Sequence, residues 1–206
     1  MFSSSLSHSL LPLLDIAGTA VFAISGALAA ARENLNIVTF IFFAAITGVG
    51  GGTVRDLLIG APVIWMHNST PLAVCVVCGL IIWFTPSRIW PAKAIDWFDG
   101  LGIAAYSVFG TAKAIAYGVP LLPSIIMGIV STCMGGIFRD MLAGVPSIVV
   151  RPELYVTAVA LSSGSYALLY ELGCNIYVAT AIAVLAGFGL RALALWKGLG
   201  LPHYQR

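Results

Sequence analysis

Charge is what this sequence has least of. Asp, Glu, Lys and Arg make up 9% of its 206 residues, 60% are hydrophobic, and the mean hydropathy is +1.00. Soluble domains carry about 25% charged residues, so this chain is expected to be an integral membrane protein. Its net charge of +2 is scattered along the chain and excludes nucleic acid as a partner. The apolar runs also lack the two-residue alternation of barrel strands. Since an open sheet edge cannot be satisfied in lipid, the fold class is all-α. Every familiar catalytic constellation is missing as well. There is no Ser-His-Asp set, no metal-ligand cluster, and no phosphate loop running into Lys-Ser or Lys-Thr. Gly50-Gly51-Gly52 has no strand–helix context that would make it a phosphate cradle. Neither an enzyme nor a metal or cofactor protein is expected.

The four cysteines include Cys75-x-x-Cys78, but both sit in an apolar run without a second ligand pair or a nearby histidine, and they read as small packed side chains. His8, His67 and His203 fall near segment ends and read as solvated or interfacial. Met1 to Ser9 contains no Lys or Arg and so lacks the charged start of a secretory signal. Ala27, Ala29, Ala30 and Ala31 resemble a cleavage site, yet the first run is expected to belong to the mature fold because it takes part in a repeat.

Seven apolar runs are present: about Leu10 to Ala31, Ile37 to Gly60, Leu72 to Phe84, Asp99 to Tyr117, Leu122 to Ala143, Tyr155 to Tyr170 and Ile176 to Trp196. A fifteen-residue stretch occurs twice, GVGGGTVRDLLIGAP from Gly48 to Pro62 and TCMGGIFRDMLAGVP from Thr132 to Pro146, with seven identical positions. At the same offset of 84 residues Asp15 pairs with Asp99, Gly18 with Gly102, Ala20 with Ala104, Phe22 with Tyr106, Gly26 with Gly110 and Ala30 with Ala114. Spans one to three (10–86) and four to six (94–171) therefore read as two copies of one unit, with an unpaired seventh span at 175–197. Because each unit crosses three times, the second must enter from the opposite side, making the repeat inverted. With the N-terminus outside, the inner side receives Arg32, Arg88, Lys93, Arg139, Arg151, Arg191, Lys197 and Arg206, and the outer side only Arg55. The positive-inside rule favours that orientation. It places Arg55-Asp56 toward the outer face and Arg139-Asp140 toward the inner one.

Gly48 to Gly52 lie roughly 17 to 23 Å along the second span. Glycine there can admit a neighbouring helix, permit a break, or expose carbonyls to a water-filled path. A charge at the bilayer centre costs about 2.5–3.5 kcal/mol even on translocon scales. Arg55, Asp56, Arg139 and Asp140 are thus expected near the interfaces, where they either tie helix ends together or form charged vestibules at the mouths of a pathway. Adjacent residues on a helix do not face one another, so each Arg is expected to cap carbonyls or to reach an acid elsewhere, with Asp15 and Asp99 as candidates. Lys113 breaks the repeat, since its counterpart is Ala29. It either snorkels toward the interface or faces a polar cavity and competes with a passing cation.

The motif GxGGGxxRDxLxGxP, its second copy MGGxxRDxLxGxP, and GTAKAIAYG at Gly110 to Gly118 resemble the prokaryotic trimeric intracellular cation (TRIC) channels, a pattern shared with bacterial proteins labelled putative glycine transporters. The resemblance covers about Asp15 to Trp196. It implies a homotrimer in the plasma (inner) membrane, surrounded by lipid, with a pore inside each protomer that conducts potassium and sodium. Spans two and five, kinked at their glycines, would line it. Carried over residue by residue, Gly48, Gly50, Gly51, Gly52, Gly135 and Gly136 would form the constriction, with Lys113 near the path. Thr132 and Met134 replace Gly48 and Gly50 in the second copy, so the two kinks need not be equivalent. A secondary transporter for glycine or a similar small amino acid is the alternative, because inverted repeats and broken helices also suit that class.

Overall fold

The computed structural model describes residues 4–202, with side chains from residue 12 onward. The His8 side chain, His203 and Arg206 lie outside the described residues. The described chain is all-helical: α1 (Ser4–Arg32), α2 (Ile37–Leu58), the single turn α3 (Ile64–His67), α4 (Thr70–Phe84), α5 (Ala94–Ala116), α6 (Leu121–Leu142), α7 (Val156–Glu171) and α8 (Ile176–Lys197), with two short 3-10 turns. Four stretches are long and apolar enough to cross a membrane: Pro12–Arg32 within α1, and α2, α6 and α8 in full. Helix α5 is as long but carries Asp96, Asp99 and Lys113, while α4 and α7 have 15 and 16 residues. The outward surface is apolar, with Leu57, Phe84, Leu122, Met141, Leu185 and Trp196 all exposed. An exposed apolar surface of this extent suits contact with lipid.

Local chemistry sets the helix ends. Asn36 accepts the Thr39 amide at 3.0 Å and caps α2, and Asn175 accepts the Tyr177 amide at 2.9 Å and caps α8. Both copies of the fifteen-residue stretch stop in the same way. Gly60 and Gly144 each take φ +68°, a conformation that suits glycine, and the next amides reach back to the Asp56 and Asp140 carbonyls at 2.8 and 3.0 Å.

Helices α1, α2, α6 and α5 pack in a ring, each against the next. Helix α4 lies against α1 and α2, its counterpart α7 lies against α5 and α6, and α8 covers α5 and α7. Contacts inside the ring are reciprocal. A Cβ on Gly18 would strike the Tyr106 ring, and a Cβ on Gly102 would strike the Phe22 ring. One on Gly51 would strike the Ser131 carbonyl oxygen, and one on Gly135 the Thr47 carbonyl oxygen. At an offset of 84 residues, Gly18 corresponds to Gly102, Phe22 to Tyr106, Gly51 to Gly135 and Thr47 to Ser131. Reciprocity of this kind is what a two-fold axis imposes on an isologous contact. The Phe22 and Tyr106 rings meet edge-on, with centroids 5.5 Å apart.

Two differences from the sequence reading have physical causes. Helix α5, the fourth apolar run of the sequence, begins at Ala94 and not near Asp99, because Ala94 and Ile95 are buried and Asp96 falls in the first turn, where the helix dipole favours an acid. Arg191, counted from sequence among the basic residues of the inner side, is buried within the protein. Its Nη2 bonds Glu153 Oε2 at 2.6 Å, and its guanidinium lies 5.5 Å from the centre of the Tyr155 ring.

Candidate functional site

Two charge clusters are buried at the ends of the ring. In the first, the Arg55 side chain folds back along α2 so that Nε and Nη2 donate to Asp56 Oδ1 at 2.9 and 2.7 Å. The same oxygen accepts a third cationic donor, Lys113 Nζ from α5, at 2.8 Å. The Arg55 guanidinium sits 4.7 Å from the centre of the Phe109 ring, and its Nη1 is buried without a hydrogen-bond partner. Asp15 lines a small cavity with Arg55, Asp56, Thr19, Gly52 and Tyr106. The Tyr106 hydroxyl donates to the Gly48 carbonyl at 3.1 Å and lies 2.9 Å from Thr19 Oγ1.

The second cluster repeats the Arg-Asp geometry with different partners. Arg139 Nε donates to Asp140 Oδ1 at 2.8 Å, and Nη2 lies 2.7 Å from the same oxygen. Arg139 Nη1 bonds both oxygens of Asp99, at 2.7 and 2.8 Å, and also the Ser25 hydroxyl. Ser25 in turn donates to Asp99 Oδ1 at 2.7 Å. The second oxygen of Asp140 accepts the Ile148 amide at 2.8 Å. This cluster joins α1, α5 and α6, and its three charged side chains are almost wholly excluded from solvent. Buried ion pairs of this kind persist only when their remaining lone pairs and protons find partners, a condition that Ser25 and Ile148 meet here.

The expectation that adjacent Arg and Asp do not meet is therefore wrong for both motifs. The arginine stem is long enough to double back, although the Cβ atoms of neighbouring residues diverge. Arg139 does reach Asp99, as expected. Among the described residues, Arg55 makes no corresponding bond to Asp15. The cause lies in the repeat, since Ser25 is replaced at its counterpart position by Phe109, which offers the guanidinium a ring face and no acceptor. Lys113 does not snorkel, because its ammonium turns inward to Asp56.

The glycines do something narrower than the sequence allowed. Helices α2 and α6 run unbroken through Gly48–Gly52 and Gly135–Gly136, so no helix break occurs. Gly51 and Gly135 let the two backbones touch, with no room for a Cβ on either side. Gly50 packs against Phe138, Gly48 against Cys75 and Ala23, and Gly52 and Gly136 lie beside Arg55 and Arg139. Thr132 Oγ1 bonds back to the Gly128 carbonyl at 2.9 Å. The seam thus separates two cavities, the one beside Arg55 and another of about 90 Å³ lined by Ala29, Arg32, Glu33, Asp96, Arg139 and Asp140. Sequence reasoning missed Ser25, Thr19 and the hydroxyl of Tyr106. The signal was available, because Ser25 faces Phe109 and Tyr106 faces Phe22 across the repeat, and both are departures at positions that otherwise agree.

The glycine transporter family profile matches residues 12–87 and again 96–171. The chain is 34% identical to a UPF0126 membrane protein of Vibrio cholerae over 98% of its own length and 85% of the relative's. It is 31% identical to the Escherichia coli UPF0126 inner membrane protein YadS over 93% of this chain and 94% of that one. Among solved structures, it superposes on the TRIC trimeric intracellular cation channel orthologue from Rhodobacter sphaeroides with a TM-score of 0.86. The identity there is 32%, covering 93% of this chain and all of that one.

Proposed function

We propose a function from the chain's family: it belongs to the glycine transporter family and shares the TRIC channel fold, and we read it as a monovalent-cation channel. The observation that carries this reading is the superposition on the Rhodobacter sphaeroides channel across nearly the whole of both chains. The finer arrangement proposed is seven membrane-spanning helices, α1, α2 and α4 to α8. They form two inverted three-helix units, 10–86 and 94–171, and a seventh helix at 175–197. The double profile match and the reciprocal ring contacts support it. The pore runs inside each protomer between α2 and α6, and three protomers assemble. The N-terminus lies outside and the C-terminus inside a plasma (inner) membrane, an arrangement that gathers Arg32, Arg88, Lys93 and Lys197 on one side.

On this reading the two cavities are the vestibules, and Arg55, Asp56, Asp15, Arg139, Asp140 and Asp99 set their fields. Gly48, Gly50, Gly51, Gly52, Thr132, Gly135 and Gly136 form the constriction, closed in this conformation by backbone contact. Conduction of potassium or sodium then requires α2 and α6 to part and Lys113 to leave the path. The test is potassium flux into proteoliposomes of the purified protein, with and without glycine. Fast passive flux that glycine does not alter is the expected result. No potassium flux alongside saturable glycine exchange would overturn it in favour of the transporter alternative.

A further inference from the structure

Asp15 is the buried acid of the two clusters that the fold leaves without a bond. Its counterpart Asp99 is held by Arg139 and Ser25. Asp15 is only 8% exposed, yet it makes no hydrogen bond or ion pair with any described residue. The Tyr106 hydroxyl stands beside it, but that group has one proton and donates it to the Gly48 carbonyl. Where the other copy supplies the Ser25 hydroxyl, this one presents the ring of Phe109. A buried carboxylate in this state is costly unless something pairs with it.

Asp15 lines a groove of about 370 Å³, within the range of about 300–1,000 Å³ that ligand pockets occupy. Its walls include Ile16, Phe109, Ala116 and Tyr117, and all of these but Phe109 are also exposed at the outer surface. Lys113 is the other charged residue of the lining. An ammonium has three protons, and among the described residues Lys113 gives one to Asp56. The groove therefore offers one unpartnered acceptor and two uncommitted donors on an apolar wall. Arg55 and Lys113 balance Asp15 and Asp56, so a lone cation or a lone anion would upset a neutral set. A ligand carrying both signs would not. The groove also lies at one end of the bundle: Pro12 opens the apolar span of α1, Thr70 is the first residue of α4, and Ala116 is the last of α5. In a bilayer that layer is occupied by lipid head groups.

We propose that this groove binds a phospholipid whose zwitterionic head group carries a primary ammonium, as that of phosphatidylethanolamine does. The ammonium donates to Asp15, the phosphate accepts from Lys113, and an acyl chain lies along Ile16, Ala116 and Tyr117. A quaternary ammonium is a poorer fit, because it has no N–H to give an unpartnered carboxylate. The site does not depend on the channel reading, since it follows from Asp15, Lys113 and the groove between them.

The experiment is thermal unfolding of the full chain in detergent micelles doped with phosphatidylethanolamine or phosphatidylcholine of the same acyl chains at equal mole fraction. It is run for wild type, Asp15→Asn and Ala116→Trp. Phosphatidylethanolamine should raise the wild-type midpoint over phosphatidylcholine by on the order of 3–6 °C at about ten times its half-saturating level. Asp15→Asn should abolish that difference and unfold no lower than wild type in phosphatidylcholine, because its carboxylate serves no described residue. Ala116→Trp, at an exposed position of the wall, should fill the groove and abolish the difference with Asp15 intact. Equal wild-type midpoints in the two lipids would overturn the proposal whatever the variants do. A folded Asp15→Asn protein that keeps the full difference would do so as well. Free phosphoethanolamine, added to phosphatidylcholine micelles, should leave the midpoint unchanged, and a shift as large as the lipid's would overturn the assignment to a lipid. Flux in proteoliposomes is read separately, so a protein that answers to phosphatidylethanolamine and conducts nothing would sink the channel reading and leave the site standing.

Discussion

The contact between Gly51 and the Ser131 carbonyl can be tested by adding a single methyl group. In Gly51→Ala the new Cβ would fall well inside contact distance of that oxygen, and it would lie 3.3 Å from the Gly135 amide nitrogen. Relief requires α2 and α6 to separate by on the order of 1 Å, since carbon contacts are optimal near 3.5–4 Å. Overpacking of this kind costs about 1–3 kcal/mol. For a chain of this length that lowers the unfolding midpoint by about 2–12 °C. Gly135→Ala, which meets the Thr47 carbonyl, should cost a similar amount. Both methyl groups press on one seam, and the separation that admits the first makes room for the second. The double variant should therefore cost less than the sum, by about 0.5 kcal/mol or more. Gly164→Ala in α7 is the control, because nothing lies within 4 Å of its would-be Cβ and removing a mid-helix glycine should be neutral or gain up to about 1 kcal/mol. The assay is thermal unfolding in detergent followed by tryptophan fluorescence. A Gly51→Ala midpoint equal to wild type, or costs that add fully in the double variant, would refute the backbone-contact account of the motif.

Arg139→Ala strips two buried carboxylates of their guanidinium and should cost about 3–5 kcal/mol. Adding Asp99→Asn should recover part of that loss in the same unfolding assay, and a double variant no more stable than the single would contradict the ion-pair account. Tyr106→Phe removes the donor to the Gly48 carbonyl and the partner of Thr19, for about 1–2 kcal/mol. Thr19→Val on top of it should be nearly neutral because no orphaned hydroxyl is left, so a further full-sized loss would count against the pairing. Arg191→Ala releases Glu153 and with it the hold of α8 on the segment before α7. Cleavage after Glu153 by a glutamate-specific protease should then quicken while helical circular dichroism is unchanged, whereas an unaltered cleavage rate would show that the pair does not restrain this segment.

How much was legible in the sequence depended on whether a feature repeats. The helical class followed from composition, and the positions of α2 and α6 followed from the duplicated motif, because burial and glycine packing leave the same mark twice. The onset of α5 at Ala94 was hidden, since Asp96 looked like a loop residue when read for hydropathy and is a favourable acid when read for the helix dipole. The Arg-Asp pairs were visible but their partners were not. Both arginines double back to the adjacent Asp, and what each meets beyond it differs between the copies, the Phe109 ring for Arg55 and Ser25 with Asp99 for Arg139. Lys113 stood out because the repeat fails there, yet its attachment to Asp56 needed the crossing of α5 and α2, which no local pattern encodes.

The reciprocal contacts about Phe22 and Tyr106 carry a consequence for ancestry. Two separate, identical subunits meeting across such an axis must carry the same residue at both symmetry-related positions, so a lysine at one implies a lysine at the other. Joining the subunits into one polypeptide removes that obligation. Position 29 can then remain alanine while position 113 becomes lysine, and Ser25 can keep a hydroxyl where Phe109 presents a ring. Covalent linkage of the two halves thus lets a two-fold arrangement become directional, with a lysine ammonium joined to one Arg-Asp pair and an alanine at the matching place beside the other.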